Sequence, residues 1–407
     1  MNQKSVLFEE SNSSFAPANL KIKLVVIGLA GLLLRGTVTD FAHILIGQNQ
    51  IVETMIDIIA IAMFVVGLFE VIRNFGRVVF FSLIIFAIIW GYSYLFFPEN
   101  REYISKEYIQ FFIYSLPFLW FGYYLIKSNQ FIDLIIPIAK IKLILALIVQ
   151  IAILLKLAPD LFEGDYQTAA YSLIFGLTAI YYKSVRDKKL FDIVLAIVGT
   201  VVLLLVGSRS ILVSIFFFWL VFFLITVRQK KSSLIIIIVV LLLVWVGMDA
   251  FISGLSSASA QVGYSNHISD ALSDSALFVD ENRTALYAGF FSLIMQSPFG
   301  YGVMGDRYLS YSTGLFFKPI YPHNIFLEIG VDFGYVVGTL LIVLLLVYII
   351  KSFVKQSVRL QMTMLVLLSS TFIKLIFAST FWGDQLFFLL IGCLLAINKP
   401  TKKYKNR

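Results

Sequence analysis

The chain has 407 residues, 59% of them hydrophobic and only 14% charged, with a mean hydropathy of +0.90 and a formal net charge of +8. No soluble domain of that size buries so much apolar side chain, so the composition excludes a soluble enzyme and indicates a polytopic membrane protein. The positive charge is better explained by anchoring of cytoplasmic loops than by nucleic acid, and no nucleic-acid partner is expected.

In a bilayer each backbone polar group must be satisfied within the protein. The apolar runs are too long and continuous for alternating barrel strands, so the expected fold class is all-α. Residues 1–20 are polar and lack a cleavage site behind a short apolar core, which reads as an uncleaved cytoplasmic tail. Apolar runs then predict about twelve transmembrane helices, near 22–38, 51–72, 78–97, 108–126, 136–156, 168–182, 190–206, 210–227, 233–250, 323–350, 360–378 and 382–398. Three regions follow: about nine N-terminal spans in 1–250, a large outward loop in 251–321, and about three C-terminal spans in 322–407. With the N-terminus inside, 23 of the 32 Lys and Arg fall on the inner side, Lys140 and Lys142 among them. The outer side keeps Arg35, Arg101, Lys106, Lys156, Arg209, Arg283, Arg307, Lys318 and Lys374. All long loops then face outward. The inner loops carry no Walker motif, Rossmann fingerprint or Asp-x-Asp, so any chemistry is expected outside and without nucleotide. No clear internal repeat is present, which disfavours a transporter built from inverted halves.

The residues able to carry chemistry come in four stretches. Glu163, Asp165 and Gln167 form an outward polar cluster suited to sugar hydroxyls or to a base, with a solvated loop as the plain alternative. In Gly207-Ser-Arg-Ser210, Arg209 sits at a span edge, either as a snorkelling arginine or as an anion clamp whose guanidinium forks onto phosphate oxygens. Residues 281–296 read as an amphipathic helix capped by Asp280, with Leu286, Phe290 and Ile294 on the face expected to lie on the outer leaflet and Arg283 in the first turn. Gly300, Gly302 and Gly305 permit close turns around Tyr301. In Pro322-His-Asn-Ile-Phe-Leu-Glu328, Pro322 suits the first helical position, placing His323 and Asn324 in the first turn of a long membrane helix. There the helix dipole disfavours imidazolium and favours a proton-accepting His323. Asn324, Glu328 and Asp332 recur every four residues and predict a polar stripe facing the bundle interior. His43 and His267 have no evident role. No His, Asp or Glu grouping has metal-ligand spacing, and the single Cys393 supports neither a disulfide framework nor a thiol site, so no metal or cofactor is expected.

Together these stretches resemble the O-antigen polymerase (Wzy type) and O-antigen ligase (WaaL type) superfamily. The resemblance rests on Gly207-Ser-Arg-Ser at a span start, an outward loop ending in Phe299-Gly-Tyr-Gly302, and Pro322-His-Asn-Ile-Phe-Leu-Glu-Ile-Gly-x-x-x-Gly334. It covers about residues 160–350. It implies a GT-C-like, metal-independent, inverting glycosyltransferase of the bacterial inner membrane with a periplasmic active site. The donor would be an oligosaccharide on undecaprenyl pyrophosphate, and a chain-length regulator and a flippase would be partners. Arg209 and Arg283 map to pyrophosphate binding and His323 to catalysis, while Asp165, Gln167, Tyr301, Asn324 and Glu328 are candidates for sugar binding. A polymerase is the first expectation, and a ligase passing a finished chain to lipid A-core or another acceptor the second. From another class, a lipid-linked oligosaccharide flippase is disfavoured because the polar residues gather at the outer edge.

Overall fold

A computed structural model describes residues 19–128, 130–155, 157, 166–206, 209–227, 281–316, 318–354 and 356–398; at 154, 166–170, 206, 209, 227 and 281–283 it describes the backbone only. Among the described residues every regular element is helical. Five helical stretches are long and apolar enough to cross a membrane: Leu20–Ile46, Gln50–Phe96, Pro98–Ser128, Ile325–Val354 and Val358–Phe377. Dozens of large apolar side chains on them face outward, as a lipid environment requires. The expected span near 233–250 and the loop residues 251–280 lie outside the described residues.

Helix α1 (Leu20–Ile46) pairs with the first half of α2 (Gln50–Phe96), and Gly28 and Gly67 bring the two backbones into contact. Phe75, with φ −132° and ψ 32°, interrupts α2. The ring of Phe121 meets Phe64 on one side of the interruption, at 6.0 Å between centroids, and Trp120 donates to Ser82 on the other, at 2.6 Å. Residues on both sides of Phe75 therefore reach the same turn, so the chain doubles back there and α2 holds the two runs read near 51–72 and 78–97. After α3 (Arg101–Ile109) and a π-turn at Gln110–Ser115, α4 (Leu116–Leu125) presses against the last helix of the chain. The contact is made by glycine: a Cβ on Gly122 would overlap the Leu389 carbonyl, and one on Gly392 the Leu119 carbonyl. Cys393 is buried in that seam.

Helices α5 (Phe131–Leu154), α6 (Tyr166–Asp187), α7 (Leu190–Val206) and α8 (Arg209–Val227) continue the bundle. One end of it is tied by charge. Arg186 bonds Asp133 at 2.5 Å and Asp187 at 2.7 Å, Lys183 bonds Asp187 at 2.8 Å, and Lys140 bonds Asp192 at 2.6 Å. Arg359, from α12 (Val358–Leu367, defined below), pairs with Asp133. Lys140 thus behaves as an end-anchoring cation. Lys142 does not: its ammonium reaches into the bundle, to the Leu33 carbonyl and the Thr37 hydroxyl of α1.

The rest comprises α9 (Glu281–Gln296), α10 (Gly305–Ser312), α11 (Ile325–Val354), α12, a π-turn at Leu368–Phe372, α13 (Ile373–Phe377) and α14 (Gln385–Ile397). Helix α9 departs from its expected place on the leaflet. Leu286, Phe290 and Ile294 are indeed one face, but they are buried against Leu309 of α10 and Val331 of α11, so protein rather than lipid covers that face. The region read as an outward loop, where described, is packed structure.

Candidate functional site

The site is built on a break in α11. Gly334 has φ 77° and ψ 171°, which only glycine adopts readily, and it divides α11 into a short arm, 325–333, and a longer helix, 335–354. Gly338 lies against Ile329 and Gly330, so the chain turns back on itself rather than running on as the single long membrane helix read from the sequence. A break at this point frees two carbonyls and two N–H groups, which cannot be left bare in an apolar bundle. The Ser297–Gly302 turn takes all four. Tyr301 N donates to Val331 O at 2.9 Å and Gly302 N to Asp332 O at 3.0 Å. In return Tyr335 N donates to Ser297 O at 3.3 Å and Val336 N to Pro298 O at 3.1 Å. The approach is so close that a Cβ on Gly300 would overlap Gly334 N, and one on Gly334 would overlap Gly300 N. The Gly-x-Gly turn and the distant Gly334 are thus two halves of one joint. Asn100 grips its outside, donating to Tyr301 O at 2.7 Å and Val303 O at 3.2 Å, and Ser93 accepts from Val303 N at 2.9 Å.

The joint delivers Arg307, on α10, to the polar face of the short arm. Its guanidinium bonds Asp306 at 2.6 Å, Glu328 at 3.0 Å and Thr380 at 2.9 Å. Burial opposes its charge, but the carboxylates of Asp306 and Glu328 more than offset this and hold the guanidinium above its ordinary value. Glu328 also accepts from the Thr380 hydroxyl and from Phe381 N at 3.1 Å. Asp332 accepts from Trp382 Nε1 at 2.7 Å, and its other oxygen has no hydrogen-bond partner among the described residues. Asp306, Glu328 and Asp332 are each at most 1% exposed. One buried cation therefore answers three carboxyl groups.

His323 lies just before the arm. It precedes the helix instead of occupying its first turn: α11 starts at Ile325, and Asn324 is the cap, its side-chain oxygen accepting from Phe326 N at 2.9 Å and Leu327 N at 3.2 Å. His323 has φ 54°, and its ring packs on Tyr321 with centroids 4.3 Å apart. The Arg307 guanidinium lies 5.3 Å from the Tyr321 ring, so Tyr321 touches both His323 and Arg307. The backbone adds its own signal. Of four non-glycine residues with positive φ among those described, Met304 opens the Arg307 helix, His323 opens the arm and Ser379 precedes Thr380; only Lys188 lies elsewhere. Strained backbone of this kind persists where surrounding structure enforces it, and it concentrates at working sites.

Residues 194–343 match the family model for O-antigen ligase. The match supports membership of the O-antigen polymerase and ligase superfamily. No curated protein and no solved structure matches the chain. The O-antigen family is a glycosyltransferase-like group of ligases and polymerases, with lipid-linked polysaccharide substrates and a membrane setting. The matched region runs from α7 into α11 and contains Gly207–Ser210, the Gly-x-Gly turn, Arg307, His323 and Gly334.

The structure brings some of the expected O-antigen family residues together. His323, Asn324, Glu328 and Tyr301 are all within the jointed assembly, Tyr301 donating its hydroxyl to Leu293 O at 3.2 Å. The stripe of Asn324, Glu328 and Asp332 exists, but on the short arm. Asp165 lies outside the described residues. Gln167, Arg209 and Arg283 are placed by backbone only, in the opening turns of α6, α8 and α9. The start of α8 is nevertheless tied to the site. Ser210, next to Arg209, shares a 3.2 Å hydrogen bond with Tyr171, and Lys374 sits 5.0 Å from the Tyr171 ring. Lys374 pairs with Asp384, which also accepts from Thr371 at 2.8 Å and caps α14 through Phe387 N at 2.8 Å. The 371–384 stretch thus touches both the Gly-Ser-Arg-Ser end and the Glu328 end. Sequence reasoning missed it. Its signal was Lys374 and Asp384 interrupting an apolar run, since ionisable groups within spans mark function by default. Arg307, two residues after Gly305, was counted only as an outward charge.

Proposed function

We propose that the protein is a surface-polysaccharide polymerase of the bacterial inner membrane, joining undecaprenyl-pyrophosphate-linked oligosaccharide repeat units at the periplasmic face. The observation that carries the reading is His323, held in a left-handed backbone just before the arm and joined through Tyr321 to Arg307, inside the region matched to the family. In this reading the chain holds about twelve spans in a GT-C-like arrangement, and transfer is inverting and metal-independent.

The donor's pyrophosphate is held by Arg209 and Arg283. As the glycosidic bond breaks, negative charge grows on the leaving pyrophosphate, and fixed guanidinium groups stabilise it without reorganisation. His323 removes the proton from the acceptor hydroxyl as it attacks, a contribution of about 100- to 10,000-fold in rate. Arg307 has a different duty. Its hydrogen bonds are committed to Asp306, Glu328 and Thr380, so it positions the arm that carries His323 and Asn324. Glu328 is committed in the same way. Asn324, Tyr301, Asp165 and Gln167 remain the groups proposed to orient sugars. A chain-length regulator and a flippase would act alongside.

The second reading is a ligase, favoured by the description of the matched family model. One experiment separates the two. In a polymerase, His323→Ala should reduce the long-chain ladder on the cell surface to a single repeat unit while the protein stays in the membrane at normal levels. In a ligase the same change should remove every rung and leave long chains on the carrier lipid. An unchanged ladder would show that His323 is not the essential base.

A further inference from the structure

Among the described residues, the Lys and Arg side chains that are not exposed each have a carboxylate partner, with one exception. Arg35 bonds Asp57 at 2.5 Å, Lys183 bonds Asp187 at 2.8 Å, and Lys140, Arg186, Arg307, Arg359 and Lys374 each contact a carboxylate as well. Lys142 does not. It sits in the middle of α5, nine residues and about 13 Å along the helix from Asp133 in the end cluster. Its ammonium donates to the Leu33 carbonyl at 2.8 Å and the Thr37 hydroxyl at 3.2 Å, both neutral. No carboxylate of the described residues lies within ion-pair range of it. Asp40, three residues beyond Thr37 on α1, makes no ion pair with it; the hydrogen bonds of the ammonium are those to Leu33 and Thr37.

An ammonium in an apolar bundle is costly unless an anion answers it, and two neutral acceptors answer only part. An ammonium also has three donors, and two are used. Next to Lys142, Leu143 packs against Gly176 of α6, about one and a half turns from Tyr171, and Lys374 lies 5.0 Å from the Tyr171 ring, so both cations border one interior tract along α6. That tract continues through Tyr171 to Ser210, the residue after Arg209. An ammonium with a spare donor and no carboxylate partner, bordering this tract, is a receptor for an anionic group arriving from outside the chain.

We propose that Lys142 binds a phosphate oxygen of the lipid-linked donor from within the bundle. This rests on the reading above of a polyprenyl-pyrophosphate donor, and it adds a cation that neither the Gly-Ser-Arg-Ser stretch nor the outward loop supplies. Lys142 anchors the phosphate end of the carrier and takes no part in proton transfer.

The test uses the purified full-length protein in detergent and follows its thermal stabilisation by added undecaprenyl pyrophosphate, with phosphatidylglycerol and inorganic pyrophosphate as parallel probes. Lys142→Met keeps the side-chain length and removes the charge, so the ligand-free protein should melt no lower than wild type. The concentration of undecaprenyl pyrophosphate giving half-maximal stabilisation should rise at least about tenfold, and Lys142→Arg should restore much of it. Asp40→Asn should leave that concentration unchanged. Equal response of wild type and Lys142→Met to undecaprenyl pyrophosphate would overturn the assignment while leaving the donor reading intact. So would a loss confined to phosphatidylglycerol, which would make Lys142 the seat of a structural lipid. If inorganic pyrophosphate alone bound, the site would be an anion site without a carrier, again against the proposal. Failure of wild type itself to respond to the carrier would count against the donor reading.

Discussion

Two charged clusters stand at different places in the bundle, and they are assembled on opposite terms. The end cluster joins Lys140, Lys183, Arg186 and Arg359 to Asp133, Asp187 and Asp192, four cations to three anions. Its cations are partly open to solvent, with side-chain exposures of 16% to 34%. Around Arg307 one cation contacts Asp306 and Glu328, with Asp332 held beside them by Trp382, and all three carboxyl groups are all but sealed from solvent. The first arrangement combines near neighbours, Lys183 and Arg186 with Asp187, with pairs between helices, Lys140–Asp192, Arg186–Asp133 and Arg359–Asp133. The second gathers residues from α10, the arm of α11 and the 379–382 turn, with strained backbone in each of the three segments. The end cluster has one such residue, Lys188 beside Asp187, so what marks the Arg307 assembly is the burial of three carboxyl groups around a single cation, with positive φ at Met304, His323 and Ser379 around it.

That contrast can be broken by mutation. The largest effect is expected at Arg307. Arg307→Ala leaves Asp306 and Glu328 buried without their cation, and should cost about 3–5 kcal/mol. It should abolish polysaccharide assembly with loss of folded protein, read by thermal melting in detergent. Arg307→Met with Glu328→Gln removes the charge from both sides and should recover much of the fold but not the activity. Recovery of full activity would make the cluster a tie like the other.

Next comes the joint beneath it. Gly334→Ala must adopt φ 77° and push its Cβ into the Gly300 backbone, so about 3 kcal/mol or more should be lost. The same change at the exposed Gly36, where nothing lies within 4 Å of an added Cβ, should be neutral or slightly stabilising. Equal melting temperatures for the two variants would remove the close approach as the organising feature.

The smallest effects belong to the end cluster. Arg186→Ala should cost about 1 kcal/mol and leave polysaccharide assembly nearly intact. Its pH dependence has a definite sign. Burial works to raise the Asp187 carboxyl, but hydrogen bonds from Arg186 and Lys183 win and bring it down from 3.8 to about 2. A carboxyl depressed in the folded state stabilises above its unfolded value and loses that contribution as pH falls toward the folded one. The stability difference between wild type and Asp187→Asn should therefore be constant at neutral pH and shrink between about pH 5 and pH 2. A difference that grew on acidification would refute the pairing.

Much of this was open to reading before any coordinates. Hydropathy alone required helices and a membrane, because 59% apolar side chain has no other solvent. The spacing of Asn324, Glu328 and Asp332 identified the polar face, and the short motifs around Gly207, Gly300 and His323 pointed to the family. Periodicity and composition are local properties, and those conclusions needed nothing more.

What the sequence could not decide was where the chain turns inside an apolar run. Gly334 sits in a stretch hydrophobic enough to read as one long helix, and only the 297–302 turn, thirty residues earlier, makes a break there affordable. The outcome depends on four backbone hydrogen bonds between segments distant in sequence. The same holds for Arg307 and Lys142, one an outward charge and the other a loop anchor by position. Whether a cation is a keystone, an anchor or a receptor depends on which anions reach it, and tertiary structure alone brings those anions near or leaves them out.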